Sequence, residues 1–263
     1  MENQARSDLV IVTGGLSGIG AATARALCER GERVVVFDLT TAAQPDTPSG
    51  VLIHDEPVDV SDETVVARSC EAIERRHGSI SGLVNAAGIL GKMHPPQRLA
   101  LADWDREIGV DLRGTFVMCR EVGVRMCQRR QGAIVNVASV VGMSSAPVHG
   151  YAPAKAGVIS LTATLAAEWG PFGVRVNCVS PGFTETPALA RGLETGALDE
   201  DKLTGTTALR RLVKPEEVAA AIVWLLGGKA SGVTGVNLPV DAGFLVAVPW
   251  QAYGGLRGPV EQQ

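Results

Sequence analysis

A tyrosine and a lysine four residues apart could together perform acid–base chemistry. Tyr151 and Lys155 belong to a Tyr-Ala-Pro-Ala-Lys segment, which predicts the first turn of a helix, where Pro153 is tolerated. In a helix both side chains share one face, and a lysine ammonium there would stabilise a tyrosine phenolate. The pKa of the phenol would fall from about 10 toward neutrality, which suits a general acid or base. A coincidental pair on a solvated helix face is the alternative interpretation.

A glycine-rich turn after the first predicted strand could hold a phosphate group. Residues 13–20 read T-G-G-L-S-G-I-G, between an apolar run and a predicted helix. Glycines let the backbone approach a pyrophosphate, and the free N–H groups of a helix N-terminus stabilise its charge. Asp38 ends the second predicted strand, where a carboxylate could accept hydrogen bonds from a ribose. Asp38 could equally be a turn residue.

A serine at the end of another predicted strand could also bind a ligand. Ser139 ends the fifth predicted strand. Ligands of parallel sheets gather at the carboxyl edge, so this hydroxyl could hold a substrate oxygen. A role as a strand-end cap remains open.

Together these residues resemble the short-chain dehydrogenase/reductase family in its single-domain form. The resemblance extends from about Asp8 to Phe244, which is most of the chain. The matching segments occur in the family's order: Thr13–Gly20, Asp59–Val60, Asn85–Gly88, Ser139, Tyr151 with Lys155, Asn177, Ser180–Thr186 and Val240–Gly243.

The resemblance implies hydride transfer between NAD(H) and a secondary alcohol or ketone. Tyr151 would be the general acid/base, Lys155 would lower its pKa and bind the nicotinamide ribose, and Ser139 would orient the substrate oxygen. Asp59 would contact the adenine, and Thr186 the carboxamide. The implied NAD-binding residues are Gly14, Leu16, Ser17, Gly18, Ile19, Gly20, Asp38, Leu39, Asp59, Val60, Asn85, Ala86, Ala87, Gly88, Tyr151, Lys155, Pro181, Gly182, Thr184 and Thr186.

Two departures from the family pattern concern the catalytic set. Asp111 stands where the family has an asparagine that holds a water linking the lysine to bulk solvent. The interval between Ser139 and Tyr151 is one residue shorter than the family pattern, so Ser144 or Ser145 could take the place of Ser139. Because of Asp111, a catalytically weak, NAD-binding regulatory protein on the same fold is the alternative function.

Alternating strand and helix patterns predict an α/β fold, a doubly wound Rossmann fold with a mainly parallel sheet flanked by helices. The predicted strands are Leu9–Val12, Arg33–Phe37, Val51–Val58, Gly82–Asn85, Ala133–Val137, Val174–Val179 and Gly235–Pro239. The predicted helical regions are Ala21–Arg30, Asp62–His77 with Ser61 as its N-cap, Leu99–Arg129, Tyr151–Trp169 and Pro215–Leu226.

We expect one catalytic domain over residues 1–263, with residues 1–7 flexible. Residues 183–212 interrupt the alternation and are typical of a lid over a substrate site. Their leucines favour a lipophilic substrate, such as a cyclic or steroid-like alcohol, or else pack on the body of the domain: Leu189, Leu193, Leu198, Leu203 and Leu209. The tail, residues 244–263, carries Trp250 and Tyr253 and is expected at a subunit interface of a homotetramer.

Composition excludes several classes of function. The net charge of -4 argues against binding to nucleic acid or to anionic membranes, and 4% aromatic residues argue against a base-stacking surface. The five cysteines form no C-x-x-C pair, so we expect reduced thiols, no metal site and a cytoplasmic location. The N-terminus lacks the apolar core of a signal peptide.

Overall fold

Seven parallel strands form one sheet in the computed structural model, which describes residues 9–43, 47 and 49–257. The predicted flexible segment 1–7 and the end of the tail lie outside the described residues. The strands are β1 (Leu9–Thr13), β2 (Arg33–Phe37), β3 (Leu52–Ile53), β4 (Ile80–Asn85), β5 (Gly132–Val137), β6 (Val174–Pro181) and β7 (Asn237–Val240).

The order of the strands creates a crevice at the centre of the sheet. The order is β3-β2-β1-β4-β5-β6-β7, so the chain winds outward from β1 to one edge and then returns to β4. Ligands of such sheets bind beyond the carboxyl ends of the strands where the winding reverses, here between β1 and β4. The predicted α/β doubly wound fold is confirmed.

Helices cover both faces of the sheet. They are α1 (Gly18–Glu29), α2 (Glu63–His77), α3 (Leu101–Ile108), α4 (Thr115–Arg129), α5 (Tyr151–Trp169), α6 (Pro187–Glu194), α7 (Glu200–Gly205), α8 (Pro215–Leu226) and α9 (Phe244–Ala247). One apolar core joins the sheet to α2, α4 and α5, and a second joins it to α1 and α8. None of the described helices is long and apolar enough to cross a membrane.

The sequence predicted too long a third strand and the wrong cap for α2. Only Leu52 and Ile53 pair with β2, because the exposed acids Asp55 and Glu56 and then Pro57 follow them. The N-cap of α2 is Asp62, whose carboxylate accepts hydrogen bonds from the backbone of Thr64 at 2.9 Å and Val65 at 3.1 Å. The hydroxyl of Ser61 donates instead to Asp59 at 2.7 Å.

The predicted helical region Leu99–Arg129 is not one regular helix. α3 begins at Leu101, and a π-helical segment, Gly109–Gly114, joins it to α4. Asp111 lies in this segment with no solvent exposure. Single wide turns of this kind occur often at functional sites.

Candidate active site

A cleft of about 1470 Å³ opens at the carboxyl edge of the sheet, over the crevice between β1 and β4. It exceeds the roughly 300–1,000 Å³ of a site for one small molecule. Every residue predicted to be catalytic lines it, and so does every residue predicted to bind the cofactor except Asn85. The cleft therefore has room for a dinucleotide and a second molecule beside it.

The glycine-rich turn forms one wall of the cleft and is packed too closely for side chains. Gly14 has a φ of +63°, and a Cβ there would lie 2.8 Å from the Cα of Ala87. A Cβ on Gly20 would lie 2.1 Å from the carbonyl oxygen of Gly14. Since α1 begins at Gly18, the turn presents a helix N-terminus and bare backbone to the cleft, which suits a pyrophosphate.

Two aspartates lie where the resemblance places the adenosine. Asp38 directly follows β2 and accepts hydrogen bonds from the backbone N–H groups of Leu39 at 2.8 Å and Leu16 at 3.4 Å. Asp59 accepts hydrogen bonds from the backbone N–H and the hydroxyl of Ser61 at 2.9 and 2.7 Å. Both aspartates line the cleft, and hydrogen bonds to backbone N–H groups hold their carboxylates.

Asn85 lies beneath the cleft rather than in it. Its amide nitrogen donates to the Asn136 side chain at 2.9 Å and to the Cys119 sulfur at 3.2 Å. Asn136 in turn donates to the Thr162 hydroxyl at 2.9 Å. This buried network ties β4 and β5 to α4 and α5, and the contact of Asn85 with the cofactor stays a prediction.

The predicted catalytic side chains meet at the start of α5. Tyr151 is its first residue, and the Lys155 ammonium lies 5.4 Å from the centre of the tyrosine ring. Lys155 donates to the carbonyl oxygen of Val137, the last residue of β5, at 3.0 Å. Lys155 is only 4% exposed, so the alternative of a coincidental pair on a solvated helix is wrong.

Ser139 is the serine that reaches the tyrosine. It lies two residues beyond β5 rather than at its end, and its hydroxyl, which accepts a hydrogen bond from the backbone of Val141 at 3.3 Å, lowers the pKa of the nearby Tyr151 phenol. Ser144 donates to the carbonyl oxygen of Val140 at 3.0 Å and does not line the cleft, whereas Ser145 does. Ser139 is therefore placed to hold an oxygen atom beside the phenol.

The expected fall in the pKa of Tyr151 is wrong for this structure. Burial raises the pKa of the Tyr151 phenol above its usual value, and the charge of Asp111 adds to that rise. Lys155 and the Ser139 hydroxyl act in the opposite direction without overcoming it. The sequence pattern shows the lysine but not the partial burial of the phenol at the wall of the cleft.

Asp111 pairs directly with Lys155, which is predicted to be catalytic. Its Oδ1 lies 3.0 Å from the Lys155 Nζ, and its Oδ2 accepts a hydrogen bond from the backbone of Ile89 at 3.3 Å. Burial lowers the pKa of the Lys155 ammonium, but the neighbouring Asp111 and Tyr151 together outweigh this and leave it raised. Burial also raises the pKa of the Asp111 carboxyl, against the opposing effect of Lys155.

The segment after β6 closes the far side of the cleft. Thr186 caps α6 by accepting a hydrogen bond from the backbone of Leu189 at 3.3 Å. Its methyl carbon would lie 3.3 Å from a Cβ on Gly18, so this segment nearly touches the glycine-rich turn. Thr184 donates to the carbonyl oxygen of Gly182 at 2.9 Å.

The predicted lid, residues 183–212, contains α6 and α7 beside the cleft. Leu189, Leu198 and Leu203 line the cleft, whereas Leu193 does not and Leu209 is 61% exposed. Phe244 at the start of the tail also lines the cleft, in edge-to-face contact with Phe183 at 5.3 Å. The lining at this end is therefore largely apolar.

Sequence reasoning missed a second buried acid, which lies in α3 just before the π-helical segment that carries Asp111. Glu107 is 4% exposed and packs against the residue that precedes Tyr151. Glu107 lies four residues before Asp111, about one helical turn away and therefore on the same buried face. This spacing is the sequence signal that could have predicted the burial of Glu107.

Comparisons with known proteins identify the family of this chain. The profile of a family described as enoyl-(acyl carrier protein) reductase matches residues 14–245. D-threitol dehydrogenase of Mycolicibacterium smegmatis is 36% identical over 90% of this chain and 93% of its own length. Cis-4-hydroxycyclohexanecarboxylate dehydrogenase of Sinomonas cyclohexanicum is 38% identical over 90% of this chain and 96% of its own. The chain belongs to the short-chain dehydrogenase/reductase family.

One similar solved structure carries a different description. It comes from Brucella melitensis 16M, is described as a ribose-5-phosphate isomerase, and is 48% identical with a TM-score of 0.92. The alignment covers 96% of this chain and 98% of that one. Members of the family typically bind a nicotinamide dinucleotide, either NAD or NADP. The protein is an oxidoreductase of this family that acts on alcohols or ketones.

Proposed function

We propose that the protein oxidises a secondary alcohol, or reduces the corresponding ketone, with NAD(H) as its cofactor. The observation that carries this proposal is the meeting of Ser139, Tyr151 and Lys155 in the same cleft as the glycine-rich turn. Residues 1–263 would act as one catalytic domain, since all described strands belong to one sheet.

The chain's own residues would handle the proton and the substrate oxygen. The bound dinucleotide would supply the hydride acceptor or donor. Ser139 would hold the substrate oxygen beside the phenol, and Tyr151 would take the hydroxyl proton during oxidation and return it during reduction. Lys155, fixed by the Val137 carbonyl and Asp111, would keep a positive charge near the tyrosine and favour its anion.

The preference for NAD over NADP rests on Asp38. A carboxylate at the end of β2 would accept a hydrogen bond from a free ribose 2′-hydroxyl and would repel a 2′-phosphate. Ser17 and Leu39, which flank it, are exposed and uncharged, so neither could neutralise a phosphate.

The substrate we propose is a lipophilic alcohol, such as a cyclic one. Leu189, Leu198 and Leu203 would cover it, with residues 183–212 acting as the lid. Leu193 and Leu209 do not support this role, because neither lines the cleft.

We also propose a cytoplasmic homotetramer in which the tail, residues 244–263, lies at a subunit interface. Trp250 is 46% exposed and Tyr253 is 87% exposed in the isolated chain. Large apolar side chains on α4 are exposed too, and such surface is typical of an interface. All five cysteines are free, which suits a reducing compartment. A monomer at micromolar concentration in light scattering would contradict the tetramer.

Absorbance of NADH at its nicotinamide band tests the reaction. The purified protein is offered NAD and, separately, NADP with cyclic alcohols, polyols, sugars, hydroxysteroids and hydroxyacyl thioesters. We expect NADH formation with at least one secondary alcohol. If NAD binds but no alcohol or ketone reacts, the catalytically weak regulatory protein becomes the better interpretation. Conversion of ribose 5-phosphate to ribulose 5-phosphate without net NADH would favour an isomerase instead.

A further inference from the structure

The carboxylate of Glu107 is buried and has no hydrogen-bond donor for its Oε2 among the described residues. A buried carboxylate oxygen without a hydrogen bond is costly, and proteins rarely retain one without a use. The established roles of the cleft residues do not include it, because Glu107 lies behind the cleft rather than in its lining.

The Glu107 carboxylate occupies space that is free only because two neighbouring residues are glycines. A Cβ on Gly91 would lie 2.3 Å from the Glu107 Oε2, and a Cβ on Gly150 would lie 2.4 Å from the same oxygen. Any larger residue at either position would therefore collide with the acid. The carboxylate is wedged between the segment that follows β4 and the residue that precedes Tyr151.

Glu107 and Asp111 contact the first turn of α5 at two residues, Gly150 and Lys155. Gly150 is the N-cap of α5, and Glu107 presses against it, while Asp111 pairs with Lys155 at 3.0 Å. Trp104, on the same helix as Glu107, donates to the carbonyl oxygen of His149 at 3.2 Å and adds to the first contact. Tyr151 lies between these two points.

The position of the acid also suits its charge. The N-terminus of a helix carries a partial positive charge, and α5 is 19 residues long. A carboxylate against its N-cap is favoured electrostatically even without a direct hydrogen bond. This interaction offsets part of the cost of burying Glu107.

We propose that Glu107 is a positioning residue that fixes the first turn of α5 and hence the phenol of Tyr151. The proposal rests on the proposed oxidoreductase function, since it assigns Glu107 a role in the reaction of Tyr151. Glu107 acts through Gly150 and touches neither substrate nor cofactor. Loss of its contact lets the phenol move relative to Ser139 and the reacting carbon.

Variants of Glu107 test this proposal through turnover. Glu107→Ala removes the wedge, and Glu107→Asp withdraws the carboxylate from both glycines, so that one variant remains if the other fails to fold. We expect both variants to lower kcat about 10- to 100-fold, which is the usual cost of a misplaced catalytic group. Here kcat is expressed per nucleotide-binding site, so that unfolded protein does not count. The KM for NAD should stay within about twofold, because the glycine-rich turn is untouched.

Glu107→Gln and a control separate positioning from simple packing. Glutamine has the same shape, so Glu107→Gln should restore kcat to within about fivefold of the wild type, the remaining loss reflecting the missing charge. Asp103→Asn, on the same helix but in an exposed pair with Lys92, should leave kcat unchanged. A wild-type kcat per site in Glu107→Ala and Glu107→Asp would overturn the proposal.

Hydrogen exchange gives a measurement that does not depend on turnover. Peptides covering residues 146–156 should exchange faster in Glu107→Ala than in the wild type or Asp103→Asn, whereas peptides from α8 should not change. If the wild type oxidises no alcohol, the proposed function fails, yet faster exchange confined to 146–156 would still support the positioning contact. Unchanged exchange there would overturn it.

Discussion

Asp111 and Lys155 form a fully enclosed ion pair, with 3.0 Å between the carboxylate Oδ1 and the ammonium Nζ. Gly88 makes this possible, because a Cβ there would lie 2.5 Å from that oxygen and 3.3 Å from the Nζ. The pair joins the π-helical segment to the first turn of α5. Lys155, which we propose assists Tyr151, is thus neutralised by a partner that the family pattern does not supply.

Replacing Asp111 with asparagine should move the pH profile of oxidation. The anion of Asp111 raises the pKa of the Tyr151 phenol, so its removal should lower that pKa. Charges about 6 Å apart at an effective dielectric of about 20 interact by about 3 kcal/mol, which would be about two pKa units, and screening reduces this. We expect the acidic limb of log(kcat/KM) for oxidation to move about one unit to lower pH.

The direction of this change follows from the form of tyrosine that oxidation needs. Oxidation requires the phenolate as base, so activity is lost as pH falls through the pKa of the phenol. A lower pKa keeps the base available at lower pH. Superimposable acidic limbs for the wild type and Asp111→Asn would contradict the electrostatic account, and an inactive variant would show that the carboxylate has another role.

Gly88→Ala should separate the members of this ion pair. The added methyl group cannot fit beside Asp111 Oδ1 without moving it or the backbone. We expect kcat to fall about 10-fold or more, since small displacements of catalytic groups are costly. Gly232→Ala is the matched control, because a Cβ at Gly232 meets no atom within 4 Å. Equal kcat values for the two variants would argue against this role of Gly88.

The sequence predicts most of the fold because the apolar runs are long and the motifs are ordered. Strands such as Arg33–Phe37 are found at their predicted bounds, since they are buried on both faces and end at clear turns. The third strand ends at Ile53 rather than Val58, because the exposed residues Asp55, Glu56 and Pro57 interrupt its pairing with β2. The choice of Asp62 over Ser61 as a cap depends on which side chain points at the free N–H groups.

The candidate site is less predictable, because its properties depend on burial across distant segments. Residue types at fixed spacing suffice to find Tyr151 and Lys155. The rise in the pKa of Tyr151 depends on how the surrounding chain encloses it, which no spacing reveals. The direction of the Asn85 side chain is not predictable for the same reason: the residue lies at the end of β4 and its side chain faces Asn136.

Cofactor preference should respond to the pair of residues at the end of β2. The double variant Asp38→Ser with Leu39→Arg removes the repulsive carboxylate and supplies a guanidinium for a 2′-phosphate. We expect the ratio of kcat/KM for NAD to that for NADP to fall at least 100-fold, largely through the KM of each cofactor. Comparable kcat/KM values for the two cofactors in the wild type would contradict the assigned preference.

The chain offers an internal control for the acid/base role, because it contains only two tyrosines. Tyr151→Phe removes the hydroxyl that meets Ser139, whereas Tyr253→Phe alters a side chain that is 87% exposed in the tail. Loss of a positioned acid/base group costs about 10²–10⁴ in rate, so Tyr151→Phe should lower kcat by that factor. The glycine-rich turn is unchanged, and NADH should bind with nearly the same Kd, as measured by its fluorescence. Tyr253→Phe should keep both values. If Tyr151→Phe retained more than about a tenth of the wild-type kcat, the proton would be moved by another group.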